Sequence, residues 1–139
     1  MAKRKMTARG ARMPAAGPGE RYVPGVCNID APARRKRAAF GLLMLALTLA
    51  LWYCLRFVLG AGLILESVLF IPALLAFIGF WQAKLRFCMG DARKRIYEIG
   101  GVGTVADEAF ARRDAERARQ IFFYATVSAI VLTLVLMLL

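Results

Sequence analysis

The stretch LRFVLGAGLILES, residues 55–67, lies in a very apolar part of the chain and yet carries one arginine and one glutamate. Gly60-Ala61-Gly62 is at its centre, with Arg56 five residues before Ala61 and Glu66 five residues after it. Glycine adopts backbone conformations that permit a close reversal of the chain. We interpret this stretch as the turn of a helical hairpin.

Three nearly uncharged blocks lie on either side of this turn and further along the chain. Residues 38–59 carry only Arg56, residues 63–81 carry only Glu66, and residues 121–139 carry no charge. Each has about the 20 residues that a helix needs to cross roughly 30 Å of hydrocarbon. Their apolar residues surround the helix and leave no polar stripe for water, which argues against a soluble bundle. The sequence therefore predicts an all-α integral membrane protein, because lipid offers no hydrogen bonds to a bare backbone.

The charge distribution predicts the orientation of these spans. The chain is 60% hydrophobic with a net charge of +11, and 19 of its 20 basic residues precede the first block or lie between the second and third. The positive-inside rule then places the N-terminus in the cytoplasm and the end of the third helix outside. We expect a multi-pass protein of a bacterial-type inner (cell) membrane. The first block lacks a convincing cleavage site, so we interpret it as a retained span and not as a signal peptide.

Four regions follow from this pattern. We expect a basic, largely irregular cytoplasmic tail over residues 1–29 and a transmembrane hairpin over 30–90, with spans at about 38–59 and 63–82. A glycine-containing connector follows over 91–103. A charged cytoplasmic helix then begins at 104 with a capping box of Thr104 and Asp107, and continues to 139 through a third span from about 121.

Arg56 and Glu66 are a candidate ion pair. Both lie at the same depth below the turn, since a helix rises about 1.5 Å per residue. A lone charge there is costly, and a pair costs less. The alternative is that both side chains extend independently to the headgroups.

The cytoplasmic ends of the hairpin hold a second set of candidates. Asp30 is a suitable N-cap with Pro32 in the first turn, so the first helix should start near Ala31, and Gly90 is a suitable stop for the second. Helices of matching length would bring Cys27 and Cys88 near each other.

The stretch CNIDAPARRKRAAFG resembles the opening of the YgaP-like two-helix inner-membrane domain, which is often fused to rhodanese domains. The resemblance covers residues 27–90, and the matching positions are Asn28, Ile29, Arg34, Arg37, Gly41 and Phe87-Cys88. Ala33 and Met89 depart from that family's pattern. The resemblance implies an inner-membrane location and a link to sulfur or thiol chemistry, and it supplies no defined reaction.

The two cysteines have several interpretations. Arg34, Lys84 and Arg86 would favour a reactive thiolate, although two ordinary interfacial cysteines explain the same pattern. A structural disulfide does not suit a reducing cytoplasm. The chain has no histidine, so we predict no metal site and no cofactor.

The charged segments suggest partners. Arg34, Arg35, Lys36 and Arg37 are candidate contacts for anionic lipid headgroups or for a protein partner. No recognition fold or aromatic platform accompanies the charge, so we expect no nucleic-acid binding. In the charged helix, Glu108–Arg112, Asp114–Arg117 and Glu116–Arg119 have the spacing of ion pairs. The preceding GGVGT is more consistent with a hinge than with a phosphate loop, because no lysine of a phosphate-binding loop follows.

The spans contain no line of titratable groups and enclose little space for a substrate. We therefore expect a non-enzymatic subunit or accessory component of a larger membrane complex, bound to other membrane subunits or to itself. The alternative function is a thiol-based redox or sulfur-handling membrane protein that uses Cys27 and Cys88.

Overall fold

The computed structural model describes residues 21–139, so the prediction of an irregular tail lies outside the described residues for positions 1–20. Helix α1, Ala31–Tyr53, continues into a π-helical turn at Cys54–Val58. The Asp30 carboxylate accepts a hydrogen bond from the Ala33 N–H at 3.1 Å, which confirms the predicted N-cap and start. The cap satisfies one of the amide groups that a helix start leaves unpaired.

The chain reverses at Gly60-Ala61-Gly62. Gly60 has a φ of +57°, in the region that favours glycine, and the Ala61 N–H donates to the Leu55 carbonyl at 2.8 Å. The return leg consists of α2, Leu63–Glu66, a 3-10 turn at Ser67–Leu69, and α3, Phe70–Leu85. Arg86 ends α3 in the left-handed conformation, with a φ of 55°. The predicted stop at Gly90 is therefore wrong.

Two glycines bring the legs of the hairpin into backbone contact. A Cβ added to Gly41 would lie 2.9 Å from the Ala76 carbonyl oxygen, and one added to Gly79 would lie 2.8 Å from the Arg37 carbonyl oxygen. Only glycine leaves space for backbones that approach so closely. The two helices are thus held side by side in the part of the hairpin that contains the first half of α1 and the second half of α3.

The predicted connector has a defined structure. Helix α4, Met89–Lys94, is followed by strands β1, Ile96–Glu98, and β2, Val102–Thr104, which pair antiparallel. Gly100 and Gly101, both at positive φ, form the turn between the strands. The fold is mostly helical, but this hairpin means that the all-α expectation is incomplete.

Helix α5 spans Glu108–Leu138 and packs along α3. Asp107 caps it by accepting a hydrogen bond from the Ala109 N–H at 2.7 Å, whereas Thr104 belongs to β2 and takes no part in the cap. The capping box and the start at 104 are therefore corrected. Two tryptophans connect the helices: Trp52 donates to the Leu136 carbonyl at 2.8 Å, and Trp81 donates to the Ser128 hydroxyl at 3.2 Å.

Residues 21–29 before α1 form no helix or extended strand, and they are held by isolated bridges and backbone hydrogen bonds. Val23 and Cys27 form an antiparallel bridge. The Glu98 N–H donates to the Asn28 carbonyl, and the Asp30 N–H donates to the Glu98 carbonyl, both at 2.8 Å. The segment thus adds to the edge of β1, where unpaired backbone groups favour such pairing.

Within residues 21–139, three helices are long and apolar enough to cross a membrane, judged by length and composition. They cover Ala31–Val58, Leu63–Leu85 and Glu108–Leu138, with peak mean hydropathies of 2.1, 2.4 and 2.5. At most 33% of the residues in the most apolar window of each helix are buried by the rest of the chain. Surfaces of this kind are those of a multi-pass membrane protein, in which lipid or another protein covers the apolar residues.

Candidate functional site at the base of the hairpin

Asn28 is the centre of a buried polar cluster at the end of the hairpin opposite the Gly60 turn. Its amide nitrogen donates to the Cys88 carbonyl at 3.0 Å, and its amide oxygen accepts from the Cys88 N–H at 2.6 Å. Its own backbone N–H donates to the Arg86 carbonyl at 3.1 Å. Asn28 is fully buried, so these bonds satisfy groups that water does not reach. One side chain therefore joins the segment before α1 to the loop after α3.

The Cys88 thiol lies inside this cluster. Arg37 on α1 donates from Nη2 to Cys88 Sγ at 3.1 Å, and Cys88 is 4% exposed. Burial raises the pKa of the Cys88 thiol, an effect that outweighs the opposing charge of Arg37. A thiol with a raised pKa is less nucleophilic at neutral pH, because less of it is thiolate. Burial thus opposes the thiolate that neighbouring basic residues were expected to favour at Cys88, and the arginine in contact with its sulfur is Arg37.

Asp91 lies in the same cluster, 5% exposed, and its Oδ2 has no hydrogen-bond partner among residues 21–139. A metal ion could satisfy such an oxygen. However, no group of three histidine, cysteine or acidic residues is close enough to hold one in the described part of the chain.

Cys27 is half-buried, and its thiol donates to the Ile29 carbonyl at 3.6 Å. It directly precedes Asn28, the residue that binds the backbone of Cys88. The structure thus brings the two cysteine-bearing segments together. A shared chemical role for the two thiols stays a hypothesis.

The four candidate basic residues separate into two pairs. Arg34 donates from Nε to the Ala83 carbonyl at 3.1 Å and Arg37 donates to the Cys88 thiol, so both guanidinium groups hold the hairpin together. Arg35 and Lys36 are exposed. The predicted contact with anionic lipid or a partner is thus best suited to Arg35 and Lys36.

At the opposite end of the hairpin, Arg56 Nη1 lies 3.6 Å from Glu66 Oε1. The pair is asymmetric: the Glu66 side chain is fully buried, whereas the Arg56 side chain is 39% exposed. Neither carboxylate oxygen of Glu66 has a hydrogen-bond partner within the described residues. That this pair holds the turn together stays a prediction.

A third polar site was missed from the sequence. Asp114 of α5, 1% exposed, accepts hydrogen bonds from the Tyr22 hydroxyl and from the Gly25 N–H, each at 2.7 Å. Tyr22 also stacks on Tyr97, with ring centroids 4.6 Å apart. We call this set of contacts the Asp114 clasp. Burial and the hydrogen bond to Asp114 raise the pKa of Tyr22, so the phenol keeps the proton that it donates even above the pH at which tyrosine ordinarily ionises.

Asp114 was predicted to pair with Arg117, but it takes part in the clasp. The Arg117 guanidinium donates to the Gln120 amide oxygen at 3.1 Å. Likewise Glu108 pairs with Arg95 at 3.0 Å and not with Arg112. Spacing along α5 identified the charges but could not identify partners from other elements.

No protein-family model, no curated protein and no solved structure matches the chain. The similarity to the YgaP-like domain therefore stays a prediction. Of its matching positions, Ile29 and Cys88 pack in one buried cluster with Ala33, whereas Phe87 packs in another with Ala92 and Ile121.

Proposed function

We propose that the protein is a small multi-pass membrane protein that acts as a non-enzymatic accessory subunit of a larger membrane complex. Its N-terminus would lie in the cytoplasm of a bacterial-type cell, with α4, the β-hairpin and the start of α5 on the same side. Among residues 21–139, every basic residue except Arg56 lies at this end, and this distribution supports that orientation.

The observation that carries the proposal is how the polar groups at the base of the hairpin are used. Asn28, Arg34 and Arg37 contact backbone or side-chain atoms of the loop after α3 or of its last turn, and thereby hold the N-terminal segment, α1 and α3 together. The hydrogen bonds of these three side chains therefore serve to hold the fold together. The surfaces that remain for interaction are the apolar faces of the spans, such as Val131 of α5, 57% exposed, and Leu43 of α1, 62% exposed.

Paired substitutions on these faces test the accessory role. The tagged chain is crosslinked in its native membrane, extracted in mild detergent, and compared as wild type, Val131→Trp and Leu43→Trp. We expect a partner to co-purify with the wild type at a near-stoichiometric level. If it binds one of these faces, the variant altered on that face should lose it and the other variant should retain it. A chain that always emerges as a bare monomer, with both variants neutral, would contradict the proposal.

The second candidate is a thiol-based function, favoured by the 3.1 Å contact between the Arg37 guanidinium and the Cys88 sulfur. A positive charge at that distance stabilises a thiolate or a sulfur anion. Against it stand the burial and the raised pKa of Cys88. The Cys27→Ser, Cys88→Ser double variant decides between them, because a variant with full cellular activity would eliminate the thiol function.

A further inference from the structure

A groove between α4 and α5 lies outside every site considered so far. Its volume is about 630 Å³, and it is open on one side. Most of its wall is apolar, and two arginines complete it: the lining includes Met89, Ala92, Ala118 and Phe122, together with Arg93 and Arg119. Both arginines are exposed, and no acidic residue is among those lining it in the described chain.

The position of the groove relative to the apolar spans indicates its ligand. Phe122 is at the start of the uncharged part of α5, within one helical turn of Tyr124, whose ring centroid lies 5.2 Å from that of Trp81. Aromatic residues of this kind concentrate where the hydrocarbon meets the headgroups. Arg119 lies about 4.5 Å further along the helix axis, on the polar side of this level. The groove therefore extends from the edge of the hydrocarbon into the zone that lipid phosphates occupy.

We propose that this groove binds an anionic phospholipid, with its phosphate between Arg93 and Arg119 and the first part of an acyl chain along Met89, Ala118 and Phe122. Two guanidinium groups without a nearby acid among the lining residues complement a phosphate, and a volume of this order suits a small-molecule site. Basic pockets between membrane helices are known to bind such headgroups. The lipid site rests on the membrane placement within the proposed function and does not depend on the accessory role.

The test measures lipid affinity of the full chain in mild detergent. Phosphatidylglycerol is titrated and its retention is followed by native mass spectrometry, with phosphatidylcholine as the neutral comparison. The Arg93→Gln, Arg119→Gln variant should raise the apparent Kd for phosphatidylglycerol about tenfold or more, since each basic residue near a headgroup contributes a several-fold factor. Ala115→Trp, which fills the groove and keeps both charges, should also weaken binding.

The matched control is Lys94→Gln with Arg112→Gln. It removes the same charge from the same two helices at exposed positions that do not line the groove, and should change the Kd less than twofold. Equal losses in both double variants, or equal retention of the two lipids, would overturn the site. Competition by inorganic phosphate at equal strength would also overturn it, because it would show that the ligand is a free anion and needs no acyl chain.

Carbonate extraction tests the membrane placement separately from the lipid site. A chain that alkaline carbonate extracts from liposomes would contradict the proposed function and the lipid site together. A chain that resists extraction but shows no groove-dependent binding overturns the lipid site alone.

Discussion

At the scale of single residues, Asn28 is the side chain on which the base of the hairpin depends most. It is buried and uses both ends of its amide on the backbone of Cys88. We predict that Asn28→Ala lowers the free energy of unfolding by about 2–3 kcal/mol, because it leaves a buried carbonyl and a buried N–H without partners.

Chemical unfolding in detergent measures this change. Gln120→Ala is the matched control, since that amide is exposed and meets only the Arg117 side chain among the described contacts, and we expect less than about 0.5 kcal/mol for it. Similar costs for the two variants would show that Asn28 does not hold the base of the hairpin.

The asymmetry of the Arg56–Glu66 pair makes a second residue-scale prediction. Arg56→Gln should destabilise the protein more than Glu66→Gln does. The first change leaves a buried carboxylate unpaired, whereas the second leaves a half-exposed arginine that can extend to the headgroups. The Arg56→Gln, Glu66→Gln double variant should recover much of the loss. Thermal unfolding in lipid nanodiscs measures all three, and equal effects of the single changes without recovery would mean that the charges act independently.

At the scale of elements, the contact between α1 and α3 depends on the absence of side chains at Gly41 and Gly79. We predict that Gly79→Ala destabilises the hairpin by about 1–3 kcal/mol, because its methyl group would meet backbone atoms that cannot move independently. Gly62→Ala is the control, since an added Cβ there meets no atom within 4 Å and the residue has a negative φ. If Gly62→Ala proves as harmful as Gly79→Ala in an unfolding titration, close helix packing is not the cause.

The Asp114 clasp attaches the segment before α1 to α5. We predict that Asp114→Ala increases the rate of tryptic cleavage after Arg21 several-fold and speeds hydrogen exchange of the Gly25 N–H, while Glu116→Ala, an exposed acid on the same helix, changes neither. An unchanged cleavage rate in Asp114→Ala would contradict the clasp.

The clasp should also respond to pH in a defined direction. Since the pKa of Tyr22 is raised on folding, its contribution to stability is complete below pH about 10, the ordinary range of tyrosine. That contribution is lost only as the pH rises through the raised value.

The secondary-structure elements also show which parts of the fold were predictable from the sequence. The hairpin turn, the cap at Asp30 and the three apolar helices are encoded by local composition and periodicity, and these were predictable. The β-hairpin at residues 96–104 was not, because its strands are three residues long and the glycines that form its turn are equally typical of a flexible connector. The left-handed conformation of Arg86 was not predictable either, because residues other than glycine and asparagine rarely end a helix in that conformation.

The same limit applies to the polar sites. Arg37 and Cys88 are 51 residues apart, and Tyr22 and Asp114 are 92 apart. Helical spacing pairs charges only within one element, so it assigned Asp114 to Arg117. The expected thiolate at Cys88 rested on nearby basic charge and took no account of burial. Long-range packing decides both, through the burial that raises the pKa of that thiol and the N-terminal segment that covers Asp114.

At the scale of the whole molecule, the arrangement separates two environments. The spans expose apolar side chains, whereas the base of the hairpin, α4, the β-hairpin and the first turns of α5 carry nearly all the charges of the described chain, apart from the Arg56–Glu66 pair near the turn. The apolar surface needs lipid or another subunit to cover it, and in the proposed function the base of the hairpin meets headgroups and partners at one side of the membrane. The accessory role and the lipid groove both depend on this separation.

Site-directed labelling with a membrane-impermeant maleimide tests this account most directly. In a background with alanine at Cys27, Cys54 and Cys88, one new cysteine is placed at Ala61 in the hairpin turn, and another is placed at exposed Ala106, just before α5. We predict that Ala61→Cys is labelled in intact cells and that Ala106→Cys is labelled only after the membrane is opened. Labelling of Ala106→Cys from outside intact cells, or of both positions equally, would contradict the proposed membrane topology.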